Sequence, residues 1–171
     1  MKKHDNILII SGDGRKSGKT TLACLLISAL ESQGVIAVKI CPHFHDIKSM
    51  EVIMEVSGLY GIYRETLITC DKDSSLMLAA GAAYVYYIQC SDSGLKAAWE
   101  EIEKILPDDR PVICESGGLA GIINPGLHVL MKGSAQKKTV VNKADVEITI
   151  DKMPDAADNF SFSEGKWNWK K

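Results

Sequence analysis

The chain has 171 residues, of which 46% are apolar and 25% charged, and its formal net charge at pH 7 is -2. This length fits one domain, and the composition is typical of a globular protein with a substantial core. The near-neutral charge, without a basic stripe, gives no electrostatic reason to expect nucleic acid or an anionic membrane as a partner.

The cellular compartment is expected to be the cytoplasm. The longest mostly apolar run, from Met77 to Cys90, is too short to span a bilayer. Residues Met1 to Asn6 pass directly into a strand-like run, without the apolar region of a signal peptide. The five cysteines form no CxxC motif and leave one residue unpaired, which is typical of reduced thiols.

Strand-like and helical patterns alternate along the chain. Asn6–Ser11 and Val35–Cys41 are predicted to be buried strands, and Lys19–Gln33 between them an amphipathic helix that stops at Gly34. The later predicted elements, in chain order, are a helix over Ser49–Ser57, a helix over Asp73–Ala80 with Asp73 as N-cap and Gly81 at its end, a strand over Tyr84–Gln89, a helix over Ser93–Leu106, strands over Pro111–Glu115, His128–Met131 and Val146–Ile150, and a hairpin over Phe160–Trp169 around Glu164-Gly165.

This alternation predicts a three-layer α/β fold with a mainly parallel sheet flanked by helices. We expect a single domain over residues 1–171, with 159–171 as a terminal β-hairpin. In such sheets the ligand binds beyond the carboxyl ends of the strands. The polar residues that follow each strand are therefore the candidates for function.

A glycine-rich segment follows the first strand and opens the first helix. Its Gly18-Lys19-Thr20 sequence is that of a phosphate-binding P-loop, in which backbone N–H groups and the helix dipole face a phosphate. Lys19 would reach the β- and γ-phosphates, and the Thr20 hydroxyl would bind Mg²⁺. Asp13 stands where the usual pattern has its first glycine, so either the loop is one residue longer or Gly14 supplies the turn. The predicted nucleotide-binding residues here are Gly12, Gly14, Lys16, Ser17, Gly18, Lys19, Thr20 and Thr21, with Arg15 either near phosphate or in solvent.

Two carboxylates outside this loop, Glu115 and Asp73, are candidates for Mg²⁺ binding. Together with Lys19 they are also the candidate catalytic residues. Glu115 ends an apolar strand, where P-loop enzymes hold Mg²⁺ or its water shell. Asp73 follows Asp71 and Lys72 and could act on the metal, on a substrate, or only as a helix cap. The predicted metal set is therefore Thr20, Asp73 and Glu115.

The second strand runs into a segment rich in histidine. Cys41, His43 and His45 alternate, as in a transition-metal site, or they belong to a polar substrate loop that includes Lys39. No second cluster in the sequence supplies the remaining ligands of a tight metal site.

Two further patterns concern the base and the quaternary structure. Asn142, Lys143 and Asp145 match the Asn-Lys-x-Asp motif with which many GTPases recognise guanine, although a chance match is the alternative. The hairpin side chains Phe160, Phe162, Trp167 and Trp169 form an aromatic face that either joins a dimer interface or packs on the chain's own sheet.

Together these motifs resemble the MobB family, the GTP-binding molybdopterin-guanine dinucleotide biosynthesis protein B. The resemblance is carried, in order, by Ile7 to Leu22, by Val38-Lys39 with His43 to Asp46, by Lys72-Asp73-Ser74 with Ala80-Gly81-Ala82, and by Ile113 to Gly117. Asp13 and the long link from Asp46 to Cys70 depart from the family pattern and indicate a divergent member.

The resemblance implies GTP binding, slow Mg²⁺-dependent hydrolysis, and a homodimer that acts beside a partner nucleotidyltransferase in molybdenum cofactor synthesis. Glu115 to Leu119 also resembles a segment of the ATP-dependent dethiobiotin synthetases, which makes such a ligase the alternative enzyme. A non-catalytic regulatory nucleotide-binding module is the third possibility.

Overall fold

The computed structural model describes residues 3–69, 71–133 and 143–170. Its strands are β1 (Lys3–Gly12), β2 (Ile36–Cys41), β3 (Glu51–Val56), β4 (Tyr60–Arg64), β5 (Tyr84–Cys90), β6 (Val112–Glu115), β7 (Asn124–Lys132), β8 (Val146–Thr149), β9 (Phe160–Ser163) and β10 (Lys166–Trp169). Its α-helices are α1 (Lys19–Ala29), α2 (Asp73–Ala79), α3 (Leu95–Glu103) and α4 (Met153–Ala157). Within the described ranges, no helix has both the length and the apolar character that crossing a bilayer requires.

Eight strands form one mixed sheet in the order β3-β4-β5-β2-β6-β1-β7-β8. The strands from β5 to β8 in this order are all parallel, whereas β3 and β4 are antiparallel to their neighbours. The strands β9 and β10 pair separately as an antiparallel hairpin. The prediction of a mainly parallel α/β sheet with a terminal hairpin is thus confirmed.

The central strands are buried on both faces, because successive side chains of a strand point to opposite sides. Leu8 and Ile10 of β1 belong to the apolar cluster that includes α1, and Ile7 and Ile9 belong to the cluster that includes Trp99 of α3. A continuous apolar run rather than an alternating pattern is the sequence that such a doubly covered strand requires.

The predicted helix over Ser49–Ser57 is wrong, because this segment forms strand β3 and the turn after it. Val52, Ile53 and Val56 are β-branched and favour an extended backbone. Gly58, with a φ of 74°, supplies the left-handed residue of the turn that leads into β4. The structure therefore adds an antiparallel pair to the sheet where the sequence pattern indicated a helix.

Several boundaries also differ from the predicted ones. Helix α1 ends at Ala29 and is followed by a 3-10 turn over Glu31–Gln33, and α3 covers only Leu95–Glu103. Strand β7 extends four residues earlier than predicted, because it pairs with β1 from Asn124 onward despite its proline and glycine.

The terminal hairpin closes one face of the sheet. Phe160, Phe162 and Trp167 are at most 9% exposed and belong to the same apolar cluster as α1. The indole N–H of Trp167 donates to the backbone oxygen of Asn6 at 2.9 Å. The aromatic face therefore packs on the chain's own sheet. The homodimer, and a contribution of the hairpin to its contact, stay predictions.

Candidate functional site

A cavity of about 890 Å³ lies at the carboxyl ends of the central parallel strands. The chain leaves β1 into α1 and returns in β2, and β6 lies between these two strands. The cavity is lined by the loop after β1 together with side chains that follow β2 and β6, such as Lys39, His43 and Glu115. This is the position that the general rule for open α/β sheets gives to a ligand.

The loop between β1 and α1 needs glycine at two positions. A Cβ at Gly12 would overlap the Ser17 hydroxyl, so the loop folds tightly over the end of β1 only without one. Gly18 is the N-cap of α1 with a φ of 88°, a conformation that favours glycine. A Cβ at Gly14, by contrast, would have nothing within 4 Å. The close approach that the P-loop pattern assigns to its first glycine is therefore met at Gly12.

The N-terminus of α1 faces the cavity without a side-chain cap. The predicted loop residues all line the cavity wall: Gly12, Gly14, Arg15, Lys16, Ser17, Gly18, Lys19, Thr20 and Thr21. Arg15 and Lys16 are exposed, whereas Ser17 is fully buried. Uncapped N–H groups at the start of a helix attract anions through hydrogen bonds and the helix dipole.

Lys19 presents an ammonium group to this cavity. Its Nζ donates to the backbone oxygen of Gly14 at 2.8 Å and to the Ser17 hydroxyl at 3.1 Å. Within the described ranges, no carboxylate forms an ion pair with it. Burial lowers the pKa of Lys19, with the charge of Glu115 opposing this effect. An anion in the cavity would supply the compensating charge that the protein leaves out.

Glu115 and Asp73, the two carboxylates predicted to bind Mg²⁺, both contact the ammonium of Lys39. The Lys39 ammonium lies 2.5 Å from Oε1 of Glu115 and 2.7 Å from Oδ2 of Asp73. The Thr20 hydroxyl donates to Oε2 of the same glutamate at 2.9 Å. Glu115 is 2% exposed, so its charge is balanced by this network rather than by water. Thr20, Asp73 and Glu115, the predicted metal set, are thus brought together.

Lys39 is held as a cation by these partners. Burial by itself lowers the pKa of Lys39, but Glu115 and Asp73 outweigh this effect and the net shift is upward. Asp73 is the first residue of α2, whose N-cap is Lys72, and no side-chain cap bond is formed. The predicted cap role of Asp73 is therefore wrong, since its carboxylate turns to Lys39 instead.

Asp13, which departs from the P-loop pattern, connects the loop to β7. Its carboxylate accepts from the backbone N–H of Gly133 at 2.8 Å, and its own N–H donates to Met131 at 3.2 Å. The acidic residue therefore holds the loop against the end of a neighbouring strand.

The predicted guanine-reading residues lie apart from the loop. Asp145 immediately precedes β8, and its carboxylate accepts from the backbone N–H of His128 at 2.8 Å. Asp145 and Lys143 are not among the described residues that line the 890 Å³ cavity. Asn142 lies outside the described residues. The motif stays a prediction.

The histidine-rich segment after β2 borders the same cavity. His43 and His45 line it, and Nε2 of His45 lies 3.7 Å from the Cys41 sulfur. No group of three or more His, Cys, Asp or Glu side chains in residues 3–69, 71–133 and 143–170 is arranged to hold a metal ion. The two roles predicted for this segment, a polar substrate loop and a transition-metal site, both stay predictions.

Sequence reasoning missed two buried polar residues that position these segments. Gln89 accepts from the backbone N–H of His45 at 2.9 Å and donates to the Tyr63 hydroxyl at 3.1 Å. Glu65 accepts from the Ser74 hydroxyl at 2.7 Å and so fixes the start of α2. The signal for Gln89 is a lone amide in the apolar run of β5, because a buried polar side chain needs partners.

In comparisons with known proteins, no family model, no curated protein and no solved structure matches the chain.

Proposed function

We propose that the chain is a P-loop NTPase that binds a nucleoside triphosphate with Mg²⁺ at the carboxyl edge of its sheet. The observation that carries the proposal is the position of Lys19 and Thr20 at the start of α1, directly after buried β1. In the described part of the chain, the Lys19 ammonium has no carboxylate partner, and it lies at a helix N-terminus that has no side-chain cap bond. This combination supports binding of a polyphosphate, whose charge both features complement.

The residues around Glu115 fit a magnesium ion. Mg²⁺ prefers oxygen ligands and is commonly held by one or two carboxylates together with substrate phosphates. Thr20, Asp73 and Glu115 offer only oxygen donors, and the two carboxylates already lie close enough to share the Lys39 cation. When bound, Mg²⁺ would neutralise charge on the β- and γ-phosphates. The three residues are assigned to the metal or its water ligands.

Hydrolysis in this site is proposed to be slow. Phosphoryl transfer depends mainly on positioning and charge neutralisation, which Lys19 and the carboxylate network can supply. The MobB resemblance favours GTP as the nucleotide. It also extends the proposal to a homodimer acting beside a nucleotidyltransferase in molybdenum cofactor guanine dinucleotide synthesis.

Calorimetric titration of GTP and ATP with Mg²⁺ tests the nucleotide site. The Lys19→Ala variant is expected to bind the preferred nucleotide at least about tenfold more weakly, because phosphate charge is left unpaired. Lys96→Ala is the matched control, since Lys96 is an exposed residue of α3 that forms an ion pair with Glu100 on its own helix. Unchanged affinity in folded Lys19→Ala would contradict the proposal.

Comparing GTP, ATP and XTP binding by wild type and Asp145→Asn tests which base the site prefers. If Asp145 recognises guanine, wild type prefers GTP, and Asp145→Asn shifts the preference toward XTP, because the amide can donate to the xanthine 2-oxo group. An asparagine oxygen can still accept from the His128 N–H, so the variant keeps the contact present in the structure. A wild type that prefers ATP would reject both the motif and the GTPase assignment.

An ATP-dependent ligase similar to dethiobiotin synthetase is the second candidate. It is favoured by the segment Glu115 to Leu119 and by a second cavity that adjoins the first at Lys39. A ligase needs such a place for an acceptor, whereas a simple NTPase does not. Preference for ATP, with phosphate release that depends on an added acceptor, would favour this candidate. Nucleotide binding without measurable turnover would instead indicate a regulatory module.

A further inference from the structure

The 890 Å³ cavity extends to both sides of β1, the strand that leads into the phosphate-binding loop. On one side lie β6 and β2, which carry Glu115 and Lys39. On the other side lie β7 and then β8, and Ile150, which directly follows β8, also lines the cavity. Three strand spacings separate β6 from β8, which amounts to roughly 14 Å. The cavity therefore has room for a ligand with phosphates at one end and a ring system at the other.

The two ends of this cavity differ in chemistry. The end at β6 and β2 is charged, because Glu115 and Lys39 form their ion pair there. The end at β8 is apolar and is formed by Ile150 and by Met153, the first residue of α4. Ile150 is 46% exposed, whereas Ile148, two residues earlier in β8, is only 4% exposed. An exposed isoleucine on a cavity wall offers apolar surface that a bound ring can cover.

The apolar end lies directly beside the start of α1. A Cβ at Gly18, the N-cap of this helix, would lie 3.2 Å from Cγ1 of Ile150 and 3.3 Å from Cε of Met153. The two side chains are therefore neighbours of the backbone N–H groups to which a phosphate is expected to bind. A nucleoside attached to such a phosphate is within their reach.

Under the proposed function, the magnesium residues determine the direction of the nucleotide. Mg²⁺ bridges the β- and γ-phosphates in P-loop enzymes, so Thr20 and Glu115 would hold the terminal phosphates on the β6 side of the loop. The α-phosphate and the nucleoside then extend the other way, toward β7 and β8. Ile40 and Pro42 are also apolar and line the cavity, but they belong to β2 and the segment after it, on the magnesium side. The nucleoside therefore meets the apolar end at β8.

Ile150 and Met153 suit the face of a base rather than its edge. Apolar surface of isoleucine is removed from water when a ring covers it, and methionine sulfur makes favourable contacts with aromatic rings. Neither side chain has a hydrogen-bond donor or a charge with which to distinguish the polar edges of guanine and adenine. Their contact therefore adds affinity for both purines, and the choice between the purines depends on other groups.

We infer that Ile150 and Met153 form the base-binding surface of the nucleotide site, which holds a purine ring by its face and does not select guanine or adenine. This inference rests on the proposed function and adds the position of the base to it. Asp145 precedes β8 and so lies at the other end of this strand from Ile150. The inferred surface is thus separate from the motif of residues 142–145.

Calorimetric titration of the preferred nucleotide and of inorganic tripolyphosphate, each with Mg²⁺, measures what the nucleoside contributes. The nucleotide is expected to bind at least about tenfold more tightly than tripolyphosphate. Ile150→Ala should weaken nucleotide binding about fivefold, because apolar contact with the ring is lost, and should leave tripolyphosphate binding unchanged. GTP and ATP should lose affinity by the same factor.

Two further variants control for the substitution itself. Ile150→Leu keeps an apolar side chain and should bind the nucleotide within about twofold of wild type. Ile105→Ala changes an isoleucine that is 48% exposed just after α3 and is not among the described residues that line the cavity. This variant should leave both affinities unchanged. Unchanged nucleotide affinity in Ile150→Ala, or an equal loss for nucleotide and tripolyphosphate, would overturn the inference.

NMR of methyl-labelled protein locates the ring directly. The protein is saturated with Mg²⁺ and a non-hydrolysable analogue of the preferred nucleotide. A nuclear Overhauser effect is expected between H8 of the purine and the δ1 methyl of Ile150, whose resonance is identified by its absence from Ile150→Leu. An effect to the methyls of Ile40 instead would mean that the base lies on the β2 side, and would overturn the inference. This measurement on the otherwise unaltered protein decides if Ile150→Ala does not fold.

Tripolyphosphate also separates this inference from the proposed function. If neither tripolyphosphate nor a nucleotide binds, both are overturned. If the two bind with equal affinity, the phosphate site stands and only the base-binding surface is rejected.

Discussion

The centre of the sheet and its edge strand β3 are stabilised in different ways. In β1, the side chains from Ile7 to Ile10 are at most 3% exposed, because helices or the hairpin cover both faces. In β3, Val52, Ile53 and Met54 are between 38% and 56% exposed. The first region is stabilised by burial from above and below, and the second mainly by hydrogen bonds to one neighbouring strand.

This difference explains where charged groups are placed. The buried centre accepts a charge only with partners, so Lys39 and Glu115 occur together at the carboxyl ends of β2 and β6. The exposed edge strand needs no such pairing, and the ion pair between Glu51 of β3 and Arg64 of β4 joins two partly exposed side chains. A buried, mutually dependent charge network at one place in the molecule is the arrangement typical of functional sites.

The largest expected loss of stability comes from removing a hairpin side chain that covers the central strands. Trp167→Ala removes a 5% exposed ring that packs on β1 and donates to Asn6, and it should lower the free energy of unfolding by about 3–5 kcal/mol. Chemical denaturation measures this loss. Sedimentation of the folded variant should show an unchanged oligomeric state; a change of state with little loss of stability would contradict the intramolecular role of the hairpin.

The next effect concerns the charge network. Lys39→Met leaves the buried Glu115 without its closest cation and should cost about 1–3 kcal/mol of stability at neutral pH. The double variant Lys39→Met, Glu115→Gln should be more stable than Lys39→Met, since the unpaired charge is removed. Denaturation of the two single variants and the double variant completes the cycle. If Glu115→Gln changes the stability by the same amount in wild type and in Lys39→Met, the two residues act independently and the expected coupling is contradicted.

A smaller effect depends on pH and on His128, which is 4% exposed between β1 and β8. Its Nε2 lies 2.8 Å from the Ser11 hydroxyl; burial lowers its pKa, and the charge of Asp145 opposes this. Because the unfolded chain binds the proton more readily, stability falls as pH decreases below about 6.5, the ordinary value for histidine.

Unfolding measured between pH 7 and pH 5 tests this. His128→Gln keeps a hydrogen-bonding group and cannot become charged, so it should lose less stability than wild type over that range. Parallel losses in the two proteins would assign the acid sensitivity to other groups.

The smallest expected effect lies at the exposed edge. Ile53→Thr changes a side chain that is 40% exposed and keeps the β-branched shape that the strand favours. The free energy of unfolding should change by no more than about 0.5 kcal/mol. A loss of several kcal/mol in the same denaturation assay would mean that the edge is covered in solution, and sedimentation would then identify a second copy as the cover.

The sequence predicted the centre of the sheet better than its edge, because burial constrains the sequence of a central strand and not that of an exposed one. A doubly buried strand such as Ile7 to Ile10 needs a continuous apolar run, and few other structures have that pattern. Strand β3 is exposed on both faces, so burial imposes no alternating pattern on its sequence, and that sequence is equally compatible with a helix. Tertiary pairing with β4 decided its structure.

The candidate site was predicted in its parts but not in its connections. Lys19, Thr20 and Glu115 follow strand ends, where the rule for parallel sheets expects ligand-binding groups. The ion pair between Lys39 and Glu115 joins residues 76 positions apart, which spacing along the chain does not reveal. A lysine inside the apolar run of β2 was the available signal, because a buried ammonium requires a carboxylate. The second cavity arises only from packing.

The strand order has a consequence for synthesis on the ribosome. Both sheet neighbours of β1, namely β6 and β7, begin after residue 111, so the first strand made is among the last to be paired. Until then the apolar run from Ile7 to Ile10 has no native partner within the sheet, which is a hazard for nascent chains with long-range pairing. The buried charge network of Lys39, Asp73 and Glu115 likewise cannot form before Glu115 has emerged, so it is assembled only after most of the sheet has been synthesised.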